Sequence, residues 1–206
     1  MKKLLLIALL AMISSLSATQ VLVFAGSTRT GSYNKLLAQE AAEVARQEGA
    51  KVVYIDLKDL PIPFYDADLE IAEGLPANVK KLRDLMISSD AIIIASPQYN
   101  ASISPVLKNA LDWASRGEDG KGSCEAYRGK KFAIMSASPG KRGGAKGLVH
   151  LRQVIEDCKG EVMDSQLSFG LVDQAFDEQG HFKDPKSAQM LKRTVQVLIQ
   201  SASSPR

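Results

Sequence analysis

Three short stretches of the chain gather the residue types that could hold an anion at one end and a flat ring at the other. Gly26-Ser27-Thr28-Arg29-Thr30-Gly31-Ser32-Tyr33-Asn34 combines glycines, several hydroxyls, one guanidinium and an amide just ahead of a helical pattern. A helix N-terminus offers unpaired amides and a partial positive charge, so this composition suits a terminal phosphate. Two familiar phosphate loops fail at single positions. The P-loop pattern needs lysine where Ser32 stands, and the dinucleotide fingerprint needs a second glycine where Thr28 stands. What is left is a monophosphate cradle of hydroxyls and one arginine, or a plain Gly/Ser-rich turn.

The second stretch, Ser96-Pro97-Gln98-Tyr99-Asn100-Ala101-Ser102, sets an aromatic ring and amides after the most apolar short run in the chain. A bound heterocycle needs amide or backbone partners along its edge and apolar contact on its face. Tyr99 and Asn100 would also serve simply to shape a turn. In the third stretch, Ser138-Pro139-Gly140-Lys141-Arg142-Gly143-Gly144, the glycines let backbone approach a ligand closely.

Each stretch must be delivered by an element. Val21 to Phe24 reads as a buried strand, and from Tyr33 the period becomes helical, with Leu36, Leu37, Ala41, Val44 and Ala45 on one face and Gly49 as the stop. Val52 to Ile55 is a second strand. An irregular segment around Pro61, Pro63 and Pro76 leads to a helix near Val79 to Ile87, and Ala91 to Ala95 is the expected central strand. Ser104-Pro105 is a helix start, since serine caps free amides and proline is tolerated at the first helical position, and that helix should reach about Ser115. Phe132 to Ser136, Gly144 to Cys158, Val162 to Phe169 and Lys186 to Ser201 complete the alternation as strand, helix, strand and helix.

Strands that alternate with helices imply a parallel sheet covered on both faces, because parallel neighbours need crossover helices. Five strands fit a doubly wound α/β sheet in the order 2-1-3-4-5, in which ligands bind beyond the carboxyl ends of the strands near the switch point. The three stretches leave strand ends there.

The chain has 206 residues, enough for one well-buried domain and short for two. With 45% apolar and 24% charged residues it is neither disordered nor a multi-span membrane protein by composition. Setting aside Lys2 and Lys3 takes the formal charge from +3 to +1, and no concentrated basic run suggests a nucleic-acid partner. Cys124 and Cys158 lack CxxC spacing, and His150 and His181 are isolated, so a metal site would depend on carboxylates alone.

Residues 1–18 form the ambiguous part. Lys2 and Lys3, an apolar stretch from Leu4 to Ile13 and the small residues Ser14 to Ala18 follow the order of a secretory signal, with cleavage after Ser17 the better fit. The apolar stretch is too short for a stable membrane span. An apolar N-terminal extension, or a true start at Met12, explains the same residues. The folded domain is expected to occupy residues 19–206.

Together the three stretches, with Leu107-Lys108-Asn109-Ala110-Leu111-Asp112-Trp113, resemble the NADPH-dependent FMN reductase family, which includes bacterial quinone, chromate and azo-dye reductases with a flavodoxin-like fold. The resemblance runs from about Val21 to Arg116 and more loosely to Val154. It implies a bound FMN whose phosphate lies in the cradle that begins at Gly26, held by Ser27, Arg29, Ser32 and Asn34 with Tyr33 beside them. Pro97, Gln98, Tyr99 and Asn100 would line the ribityl chain and isoalloxazine. Ser138, Gly140 and Gly143 would form a third flavin-facing loop. Many relatives carry glutamate where Gln98 stands and Pro-Gly where Ser104-Pro105 stands.

The reaction so implied is hydride transfer from NADPH or NADH to the flavin, followed by delivery of electrons to a small acceptor: a quinone, free flavin, azo compound or metal oxyanion. The cofactor carries that chemistry, so no triad or general base is expected. A homodimer or homotetramer and a cytoplasmic site follow from the same resemblance, with export as the competing reading of residues 1–18. A flavodoxin-type electron carrier or a non-catalytic FMN-binding module would show similar loops. Electron carriers are usually strongly acidic, unlike this near-neutral chain.

Overall fold

In the computed structural model, residues 18–203 are described. The first strand, β1 (Gln20–Ala25), runs between β2 (Lys51–Asp56) and β3 (Ala91–Ala95), and beyond β3 lie β6 (Lys131–Ala137) and the two short strands β7 (Glu161–Val162) and β8 (Leu167–Phe169). All these pairings are parallel, and the order along the sheet is β2-β1-β3-β6-β7, with β8 also on β6. A separate two-stranded hairpin pairs β4 (Gln98–Tyr99) with β5 (Ser102–Ile103).

The helices are α1 (Tyr33–Gln47), α2 (Ala67–Glu73), α3 (Ala77–Ser88), α4 (Pro105–Ala114), α5 (Ala145–Asp157) and α6 (Pro185–Ser203). Alternation of side chains along each strand divides the core into two. Val21, Val23, Ile93, Ala133 and Met135 pack with α1 and α6, while Leu22, Phe24, Ile92, Ile94 and Ile134 pack with α3, α4 and α5. Strands buried on both faces need no polar alternation, which is why β3 reads as an unbroken apolar run.

The order is the flavodoxin-like one inferred from the sequence, with two differences. The fifth strand, expected as one run from Val162 to Phe169, is split. Arg152 donates to the carbonyls of Val162 and Met163, which diverts the edge chain until Leu167 rejoins the ladder opposite Met135. Four residues, 163–166, stand on the edge where β6 has only Ala133 and Ile134, a bulge that also blunts an exposed edge. Secondly, the proline-bounded segment contains α2, a short helix capped by the Asp66 side chain, which accepts from the Asp68 amide. Residues 1–17, where the signal-like pattern falls, lie outside the described residues.

Candidate functional site

The ladders continue one residue past β1, β3 and β6, setting the loops side by side. The Gly26 amide donates to Ala95 O at 2.9 Å, Ser96 to Met135 O at 2.8 Å and Ser138 to Phe169 O at 3.0 Å. At the end of β1, a Cβ on Gly26 would stand 2.8 Å from the Leu107 side chain, so only glycine lets this turn rest on α4. Ser104 secures the contact. Its hydroxyl donates to Gly26 O at 2.6 Å and accepts from Leu107 N at 3.3 Å, capping α4 while tying it to the first loop.

The first loop keeps much of its polar capacity for something other than itself. The buried Ser27 hydroxyl accepts from Arg29 N at 3.3 Å, holding a tight turn. Ser32 occupies the N-cap of α1 with extended backbone, yet its side chain, although buried, makes no capping bond. The first turn of α1 thus has no side-chain cap; Lys35 N donates to Ser32 O at 3.0 Å, and the amides of Tyr33 and Asn34 precede the helical ladder. Arg29 is exposed, with its guanidinium carbon 5.9 Å from the Tyr33 ring centroid. Lys58 Nζ donates to Thr30 Oγ1 at 3.1 Å, adding a second cation at the loop.

Asn34 is placed differently from the rest. Its Nδ2 donates to Ala137 O at 2.9 Å and its Oδ1 accepts from Ala137 N at 3.0 Å, so one Nδ2 hydrogen is the donor capacity its side chain has left for an anionic ligand. Below it the Lys35 ammonium pairs with Asp56 at 2.6 Å, fastening the first turn of α1 to the end of β2.

A cleft of about 340 Å³ brings Gly26, Ser27 and Arg29 together with Tyr99. Ile62, Phe64, Pro105 and Val106 line the same cleft. A contiguous recess of about 270 Å³ shares Thr28, Ile62, Val106 and Asn109 and reaches Lys58. Ile62 and Phe64 were not singled out in the sequence, where only Pro61 and Pro63 marked the segment as irregular, and Asn109 stood out only within the Leu107–Trp113 stretch that carries the family resemblance.

In the hairpin, Asn100 and Ala101 have φ of 50° and 65°, the left-handed pair that a two-residue turn of this hand requires. Alanine is uncommon there, and beside this turn Tyr99 is 52% exposed and lines the cleft. Pro97 O accepts from Ser96 Oγ at 3.1 Å. Gln98 turns the other way: its Oε1 accepts from Gly147 N, in the first turn of α5, at 3.1 Å.

The third loop does not line the cleft. Ser138 Oγ accepts from Gly140 N at 3.2 Å, and Gly143 donates to Gly140 O at 3.0 Å. Gly143, at φ +57°, leaves so little room that a Cβ would lie 2.6 Å from the Phe169 backbone, so this loop is pressed against the end of β8. Gly144, at φ +86°, lies beside Ser136, whose buried hydroxyl has no partner among the described residues and would be 2.1 Å from a Cβ placed there.

The proline-bounded wall is braced from behind. Glu70 accepts from Arg116 Nε at 2.9 and 3.0 Å and from the Tyr65 hydroxyl at 3.1 Å. Those bonds, Arg116 first, hold the Glu70 carboxyl below its usual range in spite of burial. The Tyr65 hydroxyl is pushed up, chiefly by desolvation and then by its bond to Glu70.

A loop of hydroxyls and one guanidinium at the switch point of a doubly wound parallel sheet, lining one cleft with aromatic and apolar side chains, defines a flavodoxin-like fold with a candidate ligand site. The NADPH-dependent FMN reductase model matches residues 19–174, and the chain belongs to that family. An NAD(P)H-dependent FMN reductase of Pseudomonas aeruginosa is 36% identical over 185 residues, 87% of this chain and 92% of that protein. A quinone reductase of Escherichia coli is 35% identical over 155 residues, covering 75% and 79%. Among solved structures, the flavoenzyme NAD(P)H:(acceptor) oxidoreductase FerB of Paracoccus denitrificans superposes with a TM-score of 0.77 at 28% identity, over 90% of this chain and 97% of that one.

Proposed function

We propose that the chain is an FMN-dependent NAD(P)H oxidoreductase that reduces a small acceptor. The carrying observation is the cleft itself, which combines the hydroxyls and guanidinium of Ser27, Thr28 and Arg29, just ahead of the side-chain-uncapped start of α1, with aromatic and aliphatic side chains. That donor set fits FMN, which pairs a doubly charged phosphate with a flat heterocycle. When bound, FMN supplies the redox chemistry, taking a hydride from NADPH or NADH and releasing one or two electrons to the acceptor.

The chain's own residues bind and orient. Ser27, Arg29, Ser32 and the first amides of α1 hold the phosphate, with Gly26 keeping the loop close to α4. Asn34 is chiefly a positioning residue that fixes the cradle to β6, offering at most one further hydrogen. Backbone from Pro97 to Asn100 and the Tyr99 ring line the sugar and heterocycle. Gln98 contributes backbone, since its side chain serves α5. Ser138, Gly140 and Gly143 shape the rim next to β8. Residues 19–206 form the reductase domain, and homo-oligomers use exposed apolar side chains such as Leu171 and Val149. The donor is a cytoplasmic metabolite, which favours that compartment.

Reconstitution tests this reading. Purified protein mixed with FMN and desalted should emerge yellow, and rapid mixing with NADPH should bleach it. Retained colour without bleaching would favour an electron carrier, and a colourless protein would remove the reading altogether. Gel filtration reports the oligomer.

A further inference from the structure

Between β8 and α6 the chain makes a small hairpin that lines neither the cleft nor its recess. Phe176 and Phe182 form its antiparallel bridge, Lys183 N donates to Ala175 O at 2.9 Å and Asp177 N donates to His181 O at 2.9 Å. Asp177 Oδ1 accepts from the amides of Gln179 and His181 at 3.0 and 2.9 Å, and Gly180, at φ +88°, completes the reversal. The base of the hairpin is held by packing: the Phe182 ring is buried, its centroid 4.6 Å from those of both Phe169 and Phe176. The tip is held differently. His181 Nδ1 meets Glu40 Oε2 on α1 at 2.5 Å, and a Cβ placed on Gly180 would stand 3.5 Å from the Leu36 side chain of the same helix.

The pair is lopsided. The imidazole side chain is 55% exposed and the carboxylate 11%, so solvent protons reach one partner, while the other has no second side-chain partner among the described residues. The charged groups that act on the imidazole are Glu40 and Glu43 on α1 and Asp177 within the hairpin, all acids, and Glu43 is shared with Arg46 at 3.5 Å. The bond to Glu40 and then its charge, with Asp177 and Glu43 behind them, outweigh desolvation and hold the imidazole above the usual histidine range. A raised value means that the ion pair is complete below the ordinary histidine pKa and is lost as pH rises through the folded one. Leu36 and Glu40 stand about one and two turns past the Ser32 cap, and Tyr33, beside the Arg29 guanidinium, packs on the same aromatic cluster as Phe176 and Phe182. A tip fastened there stiffens the end of α1 that carries the cradle. We infer that residues 176–182 are a pH-operated strap: protonated His181 fastens the tip to Glu40, and loss of that proton lifts the tip and slackens the phosphate cradle, the last step resting on the function proposed above.

The strap is tested first without flavin. Hydrogen exchange of the full chain, corrected for the intrinsic pH dependence of exchange, should show protection of residues 178–181 falling about three- to tenfold between pH 6 and pH 9. His181→Gln should give the low value at both. The His181 ring, followed by NMR, should titrate back in the ordinary histidine range in Glu40→Gln. The cradle is tested second, through FMN affinity. The ratio of wild-type to His181→Gln affinity cancels the ionisation of the FMN phosphate, and it should be about two- to fivefold at pH 6 and close to one at pH 9. Equal protection at both pH values in wild type, or a pH dependence that survives in His181→Gln, overturns the strap. A ratio that does not change with pH overturns its link to the cradle. Wild-type protein that binds no FMN at any pH would instead sink the oxidoreductase reading, with the exchange data still deciding the strap.

Discussion

Asn34 and Ala137 exchange two hydrogen bonds, so a side-chain amide at the start of α1 stands in for one more strand residue at the end of β6. The site is buried, and both backbone groups of Ala137 depend on this amide. Asn34→Ala should cost about 2–4 kcal/mol, the penalty for leaving a buried donor and acceptor unmade. Asn34→Asp keeps the acceptor but turns a carboxylate oxygen toward Ala137 O, so it should be at least as damaging at neutral pH and partly recover in acid, where the carboxyl can donate. Urea denaturation at two pH values checks both. Equal stability of all three proteins would mean that the pair carries no load.

Arg29 makes no ion pair among the described residues and faces the cleft beside the uncapped end of α1. Arg29→Ala should weaken FMN about 10- to 100-fold, the value of charge-assisted bonds to a phosphate. Riboflavin has no phosphate, and its affinity should hardly move. Titration of both flavins by fluorescence quenching separates loss of phosphate recognition from general damage to the cleft.

The residues that announced themselves in the sequence were those with local causes. The strand ends, read at Phe24, Ala95 and Ser136 and observed at Ala25, Ala95 and Ala137, the Ser104-Pro105 start of α4 and the glycines of the first loop follow from periodicity, capping and turn chemistry. The missing pieces arise from contacts across distance. Nothing near Asn34 signals Ala137, more than a hundred positions later. Nothing near Gln98 signals that it caps Gly147 in α5. The split of the fifth strand depends on Arg152, a helix residue that captures edge carbonyls, and the wall at Phe64 exists because Asn109 and Trp113 reach over from α4.

Glu70 gives the wall a sign with pH. Its folded carboxyl titrates below the ordinary range, chiefly because Arg116 donates to it, so its contribution is complete above the unfolded pKa and is lost as pH falls through the folded one. Arg116→Met would leave a carboxylate that is 4% exposed without its cation, at a cost of about 2–3 kcal/mol near neutrality. The gap in melting temperature between wild type and variant should then narrow as both are taken from pH 7 toward pH 3, because protonated Glu70 no longer needs the cation. A gap that stays constant across this range would place the loss in packing against the Tyr65 ring, which the Arg116 guanidinium overlies at 5.8 Å.

Gln98 stands where the family resemblance implies glutamate, and its geometry predicts what that residue would do. The side-chain oxygen already accepts from Gly147 N at 3.1 Å, within the first turn of α5, where negative charge is favoured by the helix dipole. Gln98→Glu should keep that bond and add about 0.5 kcal/mol of stability near neutrality. The helix terminus would depress the new carboxyl's pKa, so the gain should be present above its unfolded value and disappear in acid. Gln98→Leu should lose about 0.5–1 kcal/mol, since Gly147 N shares its hydrogen between Gln98 Oε1 and Gly144 O at 3.0 Å and keeps the second acceptor, in a crowded place where a Cβ on Gly147 would already stand 3.0 Å from Ser102 O. Because the side chain faces α5 and not the cleft, FMN affinity should be the same in both variants. Denaturation curves with a flavin titration decide the matter: a Gln98→Glu protein that is less stable and binds FMN more weakly would show that the side chain turns toward the ligand instead.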